Sequence, residues 1–203
     1  MNKKMIAIII AVIVILLGLY QFVYVPYQNE EAIKNYNVGL QNVSAMDKEF
    51  NESATSEFNN MNSSDVSGTI EITTKVLKDS VSTCDKEIEK LNETRNYANG
   101  NKTKEDYIDY QIQIKQIEKE LSEDMIPEYD KMNEAVKNTD LGTMMNASSQ
   151  LENIYKAKVE EVKPVRDNVI KLLNDNPDFN QTLRDLNLTE DFYGEMNLTA
   201  VTS

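Results

Sequence analysis

The opening stretch of this chain constrains it more than anything that follows. Lys3 and Lys4 precede an unbroken apolar run from Met5 to Tyr20, which continues past Gln21 through Phe22, Val23, Tyr24 and Val25 to Pro26. About 20 apolar residues at ~1.5 Å rise each match the ~30 Å hydrocarbon thickness of a bilayer. A cleaved secretory signal has a shorter apolar core and ends in small residues. Here the run ends in bulky side chains, so residues 5–25 read as a retained signal-anchor helix. No cysteine follows for a lipid attachment. Tyr20, Phe22, Tyr24 and Tyr27 gather at the far end, where amphipathic rings settle among headgroups. Lysines precede the run and Gln28, Asn29, Glu30 and Glu31 follow it. The positive-inside rule then predicts residues 1–4 as a cytoplasmic stub and everything after the span as extracellular.

Charge narrows the partners. The chain carries a formal net charge of −13, and Lys3 and Lys4 are its only charged side chains before Glu30. The whole acidic excess therefore belongs to the part beyond the span. A surface of that sign repels phosphate backbones, which excludes nucleic acid. Cys84 is the lone cysteine. No internal disulfide is available, and its place on an apolar stripe suits a small buried hydrophobe.

Nine asparagines head an Asn-x-Ser/Thr triplet free of proline: Asn42, Asn51, Asn62, Asn92, Asn101, Asn146, Asn180, Asn187 and Asn197. Composition alone gives about three. The excess favours an N-glycosylated surface protein.

Beyond Pro26 the apolar residues recur at helical spacing in four segments. The first stripe is Ile33, Tyr36, Leu40, Val43 and Phe50, with Asp47 as its one polar intruder. The second is Ile70, Thr74, Leu77, Val81, Cys84, Ile88 and Leu91; the third runs from Tyr107 and Tyr110 through Ile114, Ile117, Leu121, Met125, Tyr129 and Met132 to Val136. The fourth comprises Met144, Ser148, Leu151, Tyr155, Val162, Val165, Val169 and Leu172. Pro127 and Pro164 predict a kink or short break in the third and fourth helices. Polar turns at Asn59–Gly68 and Asn99–Asn101 separate the segments. Thr103 with Asp106 resembles a capping pair, and Thr139 or Asp140 can cap the fourth helix. Four one-sided helices joined by short turns predict an all-α fold: an elongated, up-down antiparallel four-helix bundle or coiled coil over residues 27–174. Residues 175–203 read as a polar C-terminal tail, in which Leu183, Leu186, Leu188, Phe192 and Tyr193 could dock one more short helix.

Catalytic chemistry finds little support. The sequence has no histidine, which removes Ser-His-Asp and Cys-His arrangements and the His-bearing zinc and di-iron motifs. Its six glycines do not assemble a phosphate-cradling loop. The pairs Glu30/Glu31, Glu118/Glu120 and Glu160/Glu161 suit solvated helix faces. Asn174, Asn176, Asp178 and Asp185 echo calcium-loop spacing, yet Phe179 stands where that loop needs glycine. Tyr36, Tyr107, Tyr110, Tyr129 and Tyr155 fall on the stripes and read as core, with hydroxyls reaching water. No catalytic, cofactor or metal residue is predicted, and the chain is not expected to be an enzyme.

The expected protein is single-pass, embedded in the lipid bilayer, and displays an acidic bundle outside the cell. Its expected role is structural or interactive, with a cell-envelope component, another membrane protein or a second copy through the bundle as partner. The alternative is a ligand-binding, sensory-type ectodomain acting through a membrane partner. In layout alone the chain resembles the helical ectodomains of bacterial and archaeal sensory receptors. Those carry a second span, and no second apolar run is present here.

Overall fold

A computed structural model describes residues 25–60 and 65–188 of the 203-residue chain. The signal-anchor expected over residues 5–25 falls almost wholly outside them. Among the described residues no helix is long and apolar enough to cross a membrane.

The fold is all-α. Five helices follow one another: α1 (Val25–Asn59), α2 (Val66–Arg95), α3 (Lys102–Asn138), α4 (Leu141–Asp175) and the short α5 (Pro177–Asp185). Successive helices pack together, and the pairings run antiparallel. Asn99 Nδ2 donates to Asn29 Oδ1 at one end of the α1–α2 pair, and Lys75 meets Glu57 near the other. Ser67 bonds Asn133 and Arg95 bonds Asp109 across α2 and α3. Thr103 reaches Asn176 at one end of α3 and α4, while Lys158 reaches Glu120 farther along.

The turns explain where each helix stops. Asn99 and Gly100 take positive φ of 54° and 73° in the α2–α3 turn, and Thr139 (φ 54°) ends α3 in a left-handed cap. Asn and Gly tolerate that region; Thr does not, so Thr139 stores local strain. Asn101, rather than Thr103, caps α3: its Oδ1 accepts from Lys104 N at 3.1 Å. Thr103 instead donates to Asn176 Oδ1, and Asp106 pairs with Lys102. Asp140 caps α4 through Thr143 N. Asp65 caps α2, accepting from Gly68 N at 2.9 Å. Asp65→Ala is expected to lower stability by about 1 kcal/mol, read as a shifted urea midpoint with an unchanged slope.

Pro127 and Pro164 interrupt neither α3 nor α4. Both are exposed, so each ring sits on the solvent side. Losing one ladder donor there costs less than abandoning an apolar stripe that continues on both sides.

One continuous core joins Tyr36, Leu40 and Val43 of α1 to Leu91 of α2, Tyr107, Ile108, Ile114 and Ile117 of α3, and Val162, Val165, Val169 and Leu173 of α4. The stretch after α4 adds to it: Leu183 and Leu188 are buried, and Phe179 packs edge-on to Tyr107 at 5.3 Å and tilted against Tyr36 at 6.4 Å. Leu186 is half-buried; Phe192 and Tyr193 lie outside the described residues. Tyr36 corrects the expectation of a water-reaching hydroxyl. Its side chain is fully buried, its OH donates to the Lys104 carbonyl at 3.0 Å, and the Lys104 ammonium stands 4.7 Å from its ring centre. Burial, reinforced by neighbouring Tyr107, pushes that phenol above the usual tyrosine range.

Candidate functional site

The most unusual chemistry in this bundle is a lysine buried at its middle. Lys115 of α3 keeps 9% of its side chain exposed, and three carboxylates from three helices surround its ammonium. Asp47 Oδ1 of α1 is 2.5 Å away, Glu87 Oε2 of α2 is 3.1 Å away, and Glu118 Oε2, one turn along α3, is 3.1 Å away. Asp47, the intruder on the first stripe, is thus the α1 side of an ion network. Burial alone pushes the Lys115 ammonium down, but the summed pull of Glu118, Asp47 and Glu87 outweighs it and holds the group above the lysine range. It stays charged.

Glu87 is the exceptional member. Its side chain is 1% exposed, and its oxygens accept no well-aligned hydrogen bond; Lys115 is paired with it at 3.1 Å, and the Asp47 carboxylate is placed to share its proton when Glu87 is protonated. The 3.1 Å contact with Lys115 is within pairing distance but poorly aimed. Burial is the largest influence on this carboxyl; Lys115 pulls its pKa down and Asp47 pushes it up, leaving it at about 7. Cys84 lies one turn before Glu87, buried and free. Burial, with Glu118 adding to it, pushes that thiol up to about 12, so it is protonated and unreactive.

Two cavities flank the lysine. One of about 280 Å³ lies between α1, α2 and α3, lined by Asp47, Phe50, Glu87, Glu118, Leu121 and the hydroxyl side chains of Ser80, Thr83 and Ser122. Ser122 and Ser80 hydrogen-bond across it at 3.0 Å. The other, about 180 Å³, is more apolar and includes Leu40, Val43, Ile114, Val162, Gln111 and Arg166. The Gln111 amide nitrogen is buried there without a hydrogen bond. Lys115, Asp47 and Glu118 border both cavities.

The remaining sequence candidates disperse. Of the paired glutamates, Glu118 joins the cluster, whereas Glu120 and Glu161 both contact Lys158. Asn176 is occupied by Thr103 and by the Leu172 carbonyl, and Asp185 accepts from Gln181, so the calcium-like spacing serves helix ends. Among the described residues no group of three or more acidic, cysteine or histidine side chains is arranged to hold a metal. The sequon asparagines Asn42, Asn51, Asn92, Asn101, Asn146 and Asn187 are exposed and Asn180 is half-exposed; Asn62 and Asn197 fall outside the described residues.

No family model, no curated protein and no solved structure matches this chain.

Proposed function

We propose that this chain is a single-pass membrane protein of the cell surface, its N-terminus cytoplasmic, holding a glycosylated up-down bundle of four long helices outside the cell for interaction with the envelope or another membrane protein. The observation that carries this reading is the apolar run Met5–Tyr20 between Lys3/Lys4 and the acidic remainder. The fold supports it in two ways. α1 is in place from Val25, directly after the run, so the bundle would stand on the anchor with little slack. Of the described sequon asparagines six are exposed, Asn180 is half-exposed and none is buried, so glycans would not open the core. One sequon adds an order of events: Thr94, which completes the Asn92 triplet, is 1% exposed, so glycan transfer there would have to precede docking of α1.

Membrane fractionation tests the placement. The intact protein is expected to stay with membranes through an alkaline carbonate wash, to lose its C-terminal end to protease added outside whole cells, and to drop in mass on enzymatic deglycosylation. Recovery in the soluble fraction, trimmed near Pro26, would overturn it.

A second reading, a ligand-binding module that passes its state to a membrane partner, is favoured by the Lys115 cluster and its cavities. Polar groups converge there on a bundle interior, an arrangement typical of small-molecule sites between helices.

A further inference from the structure

Lys115 stands among more negative charge than it can neutralise. Three carboxylates share its one ammonium within 3.1 Å. They are unequally placed: Glu87 is 1% exposed, while Asp47 at 35% and Glu118 at 38% open onto the 280 Å³ cavity. The ammonium gives its aimed hydrogen bond to Asp47 and leaves both Glu87 oxygens without one. A buried carboxylate in that state carries a desolvation cost that protein interiors rarely leave unrelieved. A second cation in the cavity, paired with Asp47 and Glu118, would free Lys115 to turn fully onto Glu87.

We infer that the cavity between α1, α2 and α3 binds a small organic compound through a primary ammonium group, which pairs with Asp47 and Glu118 while Lys115 transfers its hydrogen bonding to Glu87. The walls select this class. An ammonium has three N–H donors and no acceptor, matching two open carboxylates beside the hydroxyls of Ser80, Thr83 and Ser122. Phe50 and Leu121 give a short carbon chain apolar surface. Lys115 holds the point on which the carboxylates converge, and among the described residues no three acidic side chains are arranged around a metal position.

Protons compete for the same surplus charge. The groups facing Glu87 are Asp47 from α1 and Lys115 from α3, with Glu118 also paired to that lysine and Cys84 on its own helix. Binding is therefore expected to strengthen as pH rises through about 7, where Glu87 gives up its proton. The site depends on the bundle alone, so its fate and that of the membrane placement are decided by different measurements.

Ethanolamine is a suitable probe, being an ammonium joined to one hydroxyl, and tetramethylammonium at equal ionic strength is the control with charge but no N–H donors. Titration calorimetry on the full chain in mild detergent at pH 8 is expected to show saturable binding of one ethanolamine per chain. It should be about tenfold or more weaker at pH 5.5 and in Glu118→Gln, and absent for tetramethylammonium. Glu118 is partly exposed and its glutamine variant should fold, which a melting curve on the same sample checks. No saturable binding of ethanolamine, equal response to both cations, or full retention of binding in folded Glu118→Gln would each overturn the proposal.

Discussion

Lys115→Met is expected to be among the most damaging single changes in this bundle, costing about 3–5 kcal/mol at pH 8, because it leaves buried carboxylates without their counter-charge. Methionine keeps most of the stem volume, so the loss reports charge and not a void. The penalty should shrink as pH falls, since carboxyl groups deprived of the ammonium can take up protons instead. Urea unfolding at pH 8 and pH 5 checks this; an equal loss at both would mean that packing of the stem dominates. Glu87→Gln moves oppositely. The Glu87 carboxyl titrates at about 7 when folded, above its ordinary value of 4.5, so the folded state holds this proton more tightly than the unfolded chain. Its contribution to stability is full below about pH 4.5 and declines as pH rises to about 7, beyond which a buried charge remains. Removing the titration should flatten the stability profile between pH 5 and 8 and raise stability at pH 8 relative to the parent.

Why the sequence disclosed the bundle but not its charged centre comes down to how many faces each helix buries. Tyr36, Leu40 and Val43 on α1, and Val162, Val165 and Val169 on α4, are buried where 3-4 spacing places them. α3 is different, because it packs against both α2 and α4 and so buries two stripes. Tyr107, Ile114 and Ile117 form the stripe that apolar spacing reveals. The second, Ile108, Lys115 and Ser122 at heptad spacing, with Gln111 and Glu118 between them, is largely polar and is invisible to a search for hydrophobic residues. α2 is rotated for the same reason. Cys84, Glu87, Leu91 and Thr94 are buried, while Ile88 is only half-buried. The one hint was Asp47, a carboxylate on an apolar stripe, a position from which a buried cation opposite could have been read but was not. Sequence also favoured Thr103 as the α3 cap, because Asp106 three residues on imitates a capping box; Asn101 two residues earlier supplies the acceptor from the turn instead. The span at residues 5–25 and the sequon chemistry were equally legible as pattern, and they rest on that pattern still.

Gly39→Val is expected to destabilise the α1–α2 contact by about 3 kcal/mol, the upper part of the range for overpacking a close interface. Gly39 is buried mid-helix, where glycine is otherwise a poor choice by about 1 kcal/mol relative to alanine. The reason it is tolerated is across the interface: a Cβ at this position would meet Thr94 Oγ1 at 2.1 Å, Cγ2 at 2.7 Å and Cβ at 2.9 Å. Thr94 cannot retreat easily. It is 1% exposed, β-branched, and its Oγ1 donates to the Lys90 carbonyl at 2.7 Å. Even Gly39→Ala should therefore lose stability, despite alanine's better helix propensity. Thr94→Gly is the complementary change: alone it opens a small void and weakens α2, but beside Gly39→Ala it makes room for the new methyl. A double-mutant cycle by urea unfolding is expected to show the pair more stable than the sum of the two single losses predicts, by about 1 kcal/mol or more. Strict additivity would mean that α1 and α2 do not approach through Gly39 and Thr94. Because that contact lies two turns of α1 below Asp47, it also sets how closely α1 can bring its carboxylate to Lys115, so Gly39→Ala should weaken whatever binding the cavity supports along with the fold.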